Sequence, residues 1–193
     1  MNRRISTALS DLVLALSAVW GFRMLSENRT ADFQFGKWWF MLMTMAASLG
    51  VARFGALLPS YEAGIVKYHM VFSWLCRAIG VPCLAAEVCK YYTFTTAGQG
   101  FLLSAVATFI TSSLRSSYKE KVTDLINGLS VIMILVLGIT GGNACLIITS
   151  VLFMLSGIVG VEGDIELLKL PRVDVFHYIL VGINCFVVWG FQN

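Results

Sequence analysis

Between Tyr68 and Val88 the chain reads YHMVFSWLCRAIGVPCLAAEV. The run is long and apolar enough to cross a bilayer, yet it carries His69, Arg77 and Glu87. An ion at membrane depth costs at least a few kcal/mol, so such residues face protein or water rather than lipid. At the helical period His69, Ser73, Cys76, Gly80 and Glu87 fall on one face, with Arg77 on its shoulder. Pro82 predicts a bend partway along. A span with a polar seam needs neighbours, so the other spans are expected to pack around it.

Asp11, Asp124, Asn127, His177 and Asn184 extend this polar intramembrane set into other apolar stretches. Glu87 and Lys90 are spaced for an i,i+3 ion pair. Arg77 admits two readings. One is a buried ion pair with Asp11 that fixes helix register. The other is a cation for a substrate or a lipid headgroup. His69 and Asp124 lie close enough to the membrane boundary for interfacial hydrogen bonding. His177 and Asn184 share one face of the last span and read as interhelical hydrogen-bonding groups. A sharper reading joins Asp11, His69, His177 and Asp124 as a zinc site, since zinc accepts imidazole nitrogen and carboxylate oxygen.

These residues sit in a chain of 193 residues, 58% hydrophobic and 13% charged, with a mean hydropathy of +0.78. Soluble domains are about one quarter charged. A helix needs roughly 20 mostly apolar residues to span the hydrocarbon core. Seven segments meet or approach that length: about 5–22, 38–58, 68–88, 98–114, 122–140, 143–161 and 173–190. The expectation is one transmembrane domain over residues 1–193, an all-α polytopic helix bundle. The basic start and apolar run of MNRRISTALSDLVLALSAVWG imitate a secretory signal, but Asp11 interrupts it and the stretch is taken as the first span. Ala46, Ala47, Ser48 and Gly50 give span 2 a thin side, and Ser156 with Gly160 forms a small-xxx-small pair in span 6. Ser104, Thr108 and Thr111 line span 4 as hydroxyls that can bond their own helix backbone. The cysteines, Cys76, Cys83, Cys89, Cys145 and Cys185, are odd in number and lack a CxxC pair, so free thiols are expected.

With the N-terminus in the cytosol, Arg3, Arg4, Arg53, Lys67, Arg115, Lys119, Lys121, Lys169 and Arg172 lie on the cytosolic side. Arg23, Arg29, Lys37 and Lys90 lie on the far side. That division follows the positive-inside rule and sets N-in, C-out. Trp20, Trp38, Trp39 and Trp189 then form a belt at the far interface. The triplet Asn28-Arg29-Thr30 also falls there and makes Asn28 a glycosylation acceptor. In this frame Asp11, His69, Asp124, Asn127 and His177 occupy the cytosolic third of their spans and are expected to converge on one layer.

Seven spans in this orientation resemble the alkaline ceramidase and progestin/adipoQ receptor superfamily in topology. That resemblance implies zinc-dependent amide hydrolysis on a lipid. The family carries an HxxxH pair in its last span, whereas His177 stands alone here, so the assignment is rejected and the hydrolase ranks last. No GxSxG, HExxH, glycine-rich phosphate loop or TVGYG filter occurs, and no cofactor is indicated. The leading expectation is a non-catalytic multi-pass membrane protein, an accessory, scaffold or assembly subunit working through its helix faces. The alternative is a small transporter or channel using Asp11, Arg77 and Glu87. The expected partners are the lipid bilayer and another membrane protein or a second copy of the chain, with no nucleic acid. The moderate span lengths suit the endoplasmic reticulum or Golgi better than a thick plasma membrane.

Overall fold

The computed structural model of the chain describes residues 4–27, 32–114, 116–165 and 170–192. Helices make up nearly all of it: α1 (Ile5–Glu27), α2 (Gln34–Phe54), α3 (Glu62–Leu75), α4 (Val81–Tyr91), α5 (Thr95–Leu114), α6 (Ser116–Thr140), α7 (Ala144–Val159) and α8 (Arg172–Gln192). A two-stranded antiparallel ribbon, β1 (Asp164–Ile165) against β2 (Leu170–Pro171), precedes α8. Among the described residues four helical stretches are long and apolar enough to cross a membrane: Ile5–Glu27, Pro59–Tyr91, Tyr118–Thr140 and Arg172–Gln192. Ala144–Val159 is a shorter apolar helix. The protein is therefore an all-helical, membrane-embedded chain. Asn28, Arg29 and Thr30 lie outside the described residues.

Most helices run a few residues past the expected span bounds, α1 to Glu27 instead of residue 22 and α6 from Ser116 instead of residue 122, while two end short of them. Span 2 was expected to reach residue 58, but α2 stops at Phe54. The Gly55 N–H closes on the Val51 carbonyl at 2.9 Å, and Ala56 adopts a positive φ of 53°. Helix α7 stops at Val159 because Gly160 takes φ 64°. Gly160 therefore lies outside the helix, and Ser156 with Gly160 does not form a helix-packing pair.

The stretch with the polar seam is helical throughout. A π-helical turn, Cys76–Gly80, joins α3 to α4. Its cause is Pro82, which has no N–H and whose ring would strike the Ala78 carbonyl in a regular helix. The chain accommodates this by widening one turn, so that the Val81 N–H reaches back five residues to the Cys76 carbonyl. The expected bend is thus a widened turn, and no re-entrant break divides the segment.

Helix α1 packs against α2 and α8, α7 packs on α8, and α4 packs on α5 and α6. Small residues permit the closest approaches. A Cβ added to Gly21 would fall within 2.8 Å of three Phe40 ring atoms. Of the expected thin side of α2, Ala46, Ala47 and Gly50 are buried within the bundle, and Ser48 is exposed. The outward faces are as apolar as the inward ones. Leu16 is 62% exposed, Leu103 70%, Leu125 64% and Ile139 59%. A surface of this kind suits a lipid surrounding.

The helix ends align into two layers. The Arg4 N–H donates to the Phe54 carbonyl, joining the start of α1 to the end of α2. At the opposite end Phe33 and Tyr91 both meet the Phe191 ring, and the Asn143 side chain donates to the Gly190 carbonyl at 2.8 Å. Ser104, Thr108 and Thr111 bond their own helix backbone, as expected. All five cysteines are free thiols.

Candidate functional site: a polar column between the first, second and last helices

Polar side chains buried among α1, α2 and α8 form a column with three levels. The first lies where α1 and α8 begin. Ser10 and Asp11 on α1 face Asp174 and His177 on α8, which are i,i+3 neighbours on one face. Ser10 Oγ lies 2.9 Å from His177 Nδ1 and donates to the Thr7 carbonyl at 3.0 Å, with Asp174 Oδ1 at 3.4 Å. His177 Nε2 lies 3.5 Å from Asp11 Oδ1. Ser10 is fully buried, and Asp11 is 1% exposed. The Asp11 carboxylate rests on the α2 backbone at Gly50, where an added Cβ would come within 2.6 Å of all three carboxylate atoms. Asp11 Oδ2 and Thr7 Oγ1 are buried without a hydrogen-bond partner.

The middle level is a chain of amide, indole and hydroxyl groups. Asn184 Oδ1 accepts from Trp39 Nε1 at 2.9 Å, and Asn184 Nδ2 donates to Ser17 Oγ at 2.9 Å. One asparagine thus ties α8 to both α1 and α2, and both ends of its amide are used. Trp39 is 2% exposed, so it belongs to this level and not to a lipid-facing belt. Trp38 and Trp189, 49% and 44% exposed, do face outward.

The last level is a helix cap supplied by a different helix. Glu87 of α4 is 1% exposed, and its Oε2 accepts from the N–H groups of Phe35 (2.6 Å) and Gly36 (3.0 Å). These are two of the N–H groups that the first turn of α2 cannot satisfy internally. A carboxylate there is favoured by both hydrogen bonding and the helix dipole. The expected pair with Lys90 is present, with Nζ 3.6 Å from Oε1. The pair is not a wet one on both sides, because Glu87 is enclosed while Lys90 is exposed.

Arg77 lies in the π-helical turn and points away from this column. The expected pair with Asp11 does not form. Arg77 Nη2 lies 2.7 Å from Glu120 Oε2, and Nη1 lies 3.4 Å from Asp124 Oδ1, both on α6. The three side chains are 45%, 59% and 65% exposed. The reason is angular: Cys76, Ala78 and Gly80 of the same turn are buried, leaving Arg77 on the outer side. Beside it the Trp74 indole donates to Thr123 Oγ1 at 3.4 Å, and Lys119 Nζ sits 3.9 Å from the Trp74 ring centroid.

The single layer expected of Asp11, His69, Asp124, Asn127 and His177 divides four ways. Asp11 and His177 meet. His69 is held by Arg53, whose Nη1 lies 3.1 Å from His69 Nδ1, with the Phe54 ring edge-on. Asp124 belongs to the Arg77 face. Asn127 is half-buried, and its Oδ1 has no hydrogen-bond partner. Among the described residues no group of three or more His, Cys, Asp or Glu is placed to hold a metal ion. Asp11, His69 and His177 therefore do not form the zinc site considered from sequence. Ser10, Asp174, Ser17 and Glu120 complete these contacts and were missed. Asp174 and His177 were detectable as an i,i+3 pair, but nothing in the sequence ties them to Ser10.

Comparison of the chain with protein-family models, with curated proteins and with solved structures gives no match.

Proposed function

We propose that this is a seven-span membrane protein, N-terminus in the cytosol and C-terminus on the far side, that performs no covalent chemistry. In this reading it is an assembly or accessory subunit that binds another membrane-embedded helical protein through its outward helix faces. The observation behind it is how the polar residues of the apolar helices are used. Glu87 caps α2, Asn184 joins three helices, and Arg77 is held by α6. Away from Glu120 and Asp124, the outward surface of α5 and α6 carries large apolar side chains, including Leu103, Val106, Leu125 and Ile132. Lipid-nanodisc extraction followed by native mass spectrometry tests it. The expected result is a stable complex with a second membrane protein, lost when Leu103 and Val106 are changed to polar residues. A particle that is only ever a monomer overturns it.

The orientation rests on the nine-to-four division of Lys and Arg and on the outward Trp38 and Trp189. The moderate span lengths support residence in the endoplasmic reticulum or Golgi over a thick plasma membrane. Loss of a glycan mass on Asn28→Gln, with cytosolic labelling of a cysteine placed before α1, checks both points.

One observation favours a second reading, a small transporter. Two carboxylates and an imidazole share a buried site at the start of α1 and α8, and one carboxylate oxygen there is unpartnered. Such groups inside a membrane mark ion and proton paths. Glu87 and Arg77, the other residues of that reading, are engaged with α2 and α6. Solute flux in proteoliposomes that disappears in Asp11→Asn supports transport. Flux equal to that of empty vesicles removes it.

A further inference from the structure

We infer that Asp11 and His177 form a proton-binding site inside the bundle, holding one proton between Asp11 Oδ1 and His177 Nε2. The inference follows from the hydrogen bonds and the charge balance of the buried site together. Ser10 has one hydroxyl proton, and its neighbours at 3.0 and 3.4 Å are the Thr7 carbonyl and the Asp174 carboxylate. Both only accept. When Ser10 gives its proton to either, its Oγ presents a lone pair to His177 Nδ1 at 2.9 Å and Nδ1 carries the hydrogen; when it donates to Nδ1 instead, the ring hydrogen sits on Nε2 and faces Asp11. A neutral ring protonated at Nδ1 has a bare Nε2. That nitrogen would then set its lone pair against a carboxylate oxygen 3.5 Å away, in a site from which water is excluded. A proton between the two atoms turns this repulsion into a hydrogen bond. It resides on Nε2 as an imidazolium–carboxylate pair or on Oδ1 as an acid–imidazole pair.

The surrounding charges agree. Asp174 acts on Asp11 from α8, and Arg53 acts on it from α2. Asp174 and His69 act on His177. His69 accepts from Arg53 at Nδ1, so it adds no charge there. Asp174 and Arg53 carry opposite charges. An ionised Asp11 beside a neutral His177 would then leave a net negative charge buried in apolar surroundings, and one bound proton removes it. Thr7, one turn before Asp11, offers an unpartnered hydroxyl that can donate to the carboxylate when the proton leaves. The site lies where α1 and α8 begin, so exchange occurs with that side of the membrane. This inference is independent of whether the protein assembles with a partner or transports a solute.

The test is spectroscopic and uses the full chain in lipid nanodiscs. The chain has two histidines, so His69→Gln leaves His177 as the sole imidazole. Nitrogen-15 spectra of that variant are paired with infrared spectra of the carboxyl region for wild type, Asp11→Asn and Asp124→Asn. At neutral pH the site gives one of two signatures. Either His177 shows both ring nitrogens protonated, or a protonated-carboxyl band appears that is lost in Asp11→Asn and kept in Asp124→Asn. Asp11→Glu shifts that band instead of removing it, which covers the case in which Asp11→Asn does not fold. A neutral His177 with no such band from about pH 5 to 8 overturns the inference. So does a neutral ring with a band that survives Asp11→Asn.

Discussion

Asp11 and Arg77 are both ionisable residues in apolar helices, and the fold treats them in opposite ways. Asp11 is 1% exposed and closed in by α1, α2 and α8. The Arg77 side chain is 45% exposed and meets two carboxylates that are more exposed still. In the column the carboxylates of Asp11 and Glu87 both sit against backbone. Gly50 leaves room for the Asp11 carboxylate, and the first turn of α2 presents its N–H groups to Glu87. On the Arg77 face long side chains reach across open surface, and the guanidinium extends toward the first turns of α6. A buried hydrogen-bonded charge is costly to orphan. An exposed ion pair contributes about 0–1 kcal/mol. Polar residues in one small bundle therefore differ widely in what they hold together.

The largest loss is expected at Glu87. Glu87→Ala leaves the Phe35 and Gly36 N–H groups without an acceptor and should cost about 3 kcal/mol, measured by unfolding in mixed micelles. An unchanged midpoint would remove the distinction between the two regions. Gly50→Ala comes next. Its methyl group meets the Asp11 carboxylate within 2.6 Å, with an expected loss of about 2 kcal/mol in the same assay. Asn184→Leu breaks the links to Trp39 and Ser17 and should cost about 1 kcal/mol, in keeping with hydrogen bonds between membrane helices. Blue-shifted Trp39 fluorescence in a Trp39-only background would report the same break. Arg77→Leu is expected to change stability by less than about 1 kcal/mol, an effect that fades as salt is raised. A loss as large as that of Glu87→Ala would show that the Arg77 face is buried by something outside the chain.

The helices were legible because apolar runs bounded by Gly, Pro and charge leave few alternatives. Pro82 announced a disturbance, and the turn just before it is the one that widens. Helix ends were less legible. Gly55 and Gly160 set two of them through local backbone geometry that hydropathy does not register. Pairing was the least legible. Asp11 and Arg77 looked like partners by charge and depth, but the direction in which each side chain leaves its helix decided otherwise. Glu87 and Lys90 were readable because i,i+3 spacing is local. The two N–H groups that Glu87 caps are 52 and 51 residues away in sequence, and no spacing rule connects them.

The column also has a consequence for how the chain is made. Ser10 and His177 are separated by 167 positions, and so are Ser17 and Asn184. At roughly 5–20 residues per second, α1 leaves the ribosome on the order of ten to thirty seconds before α8. During that interval Ser10, Asp11 and Ser17 lack the α8 groups they finally contact. Asp11 must wait in the insertion machinery, at the water interface or against a temporary companion helix. Arrival of α8 is then the event that seals the bundle.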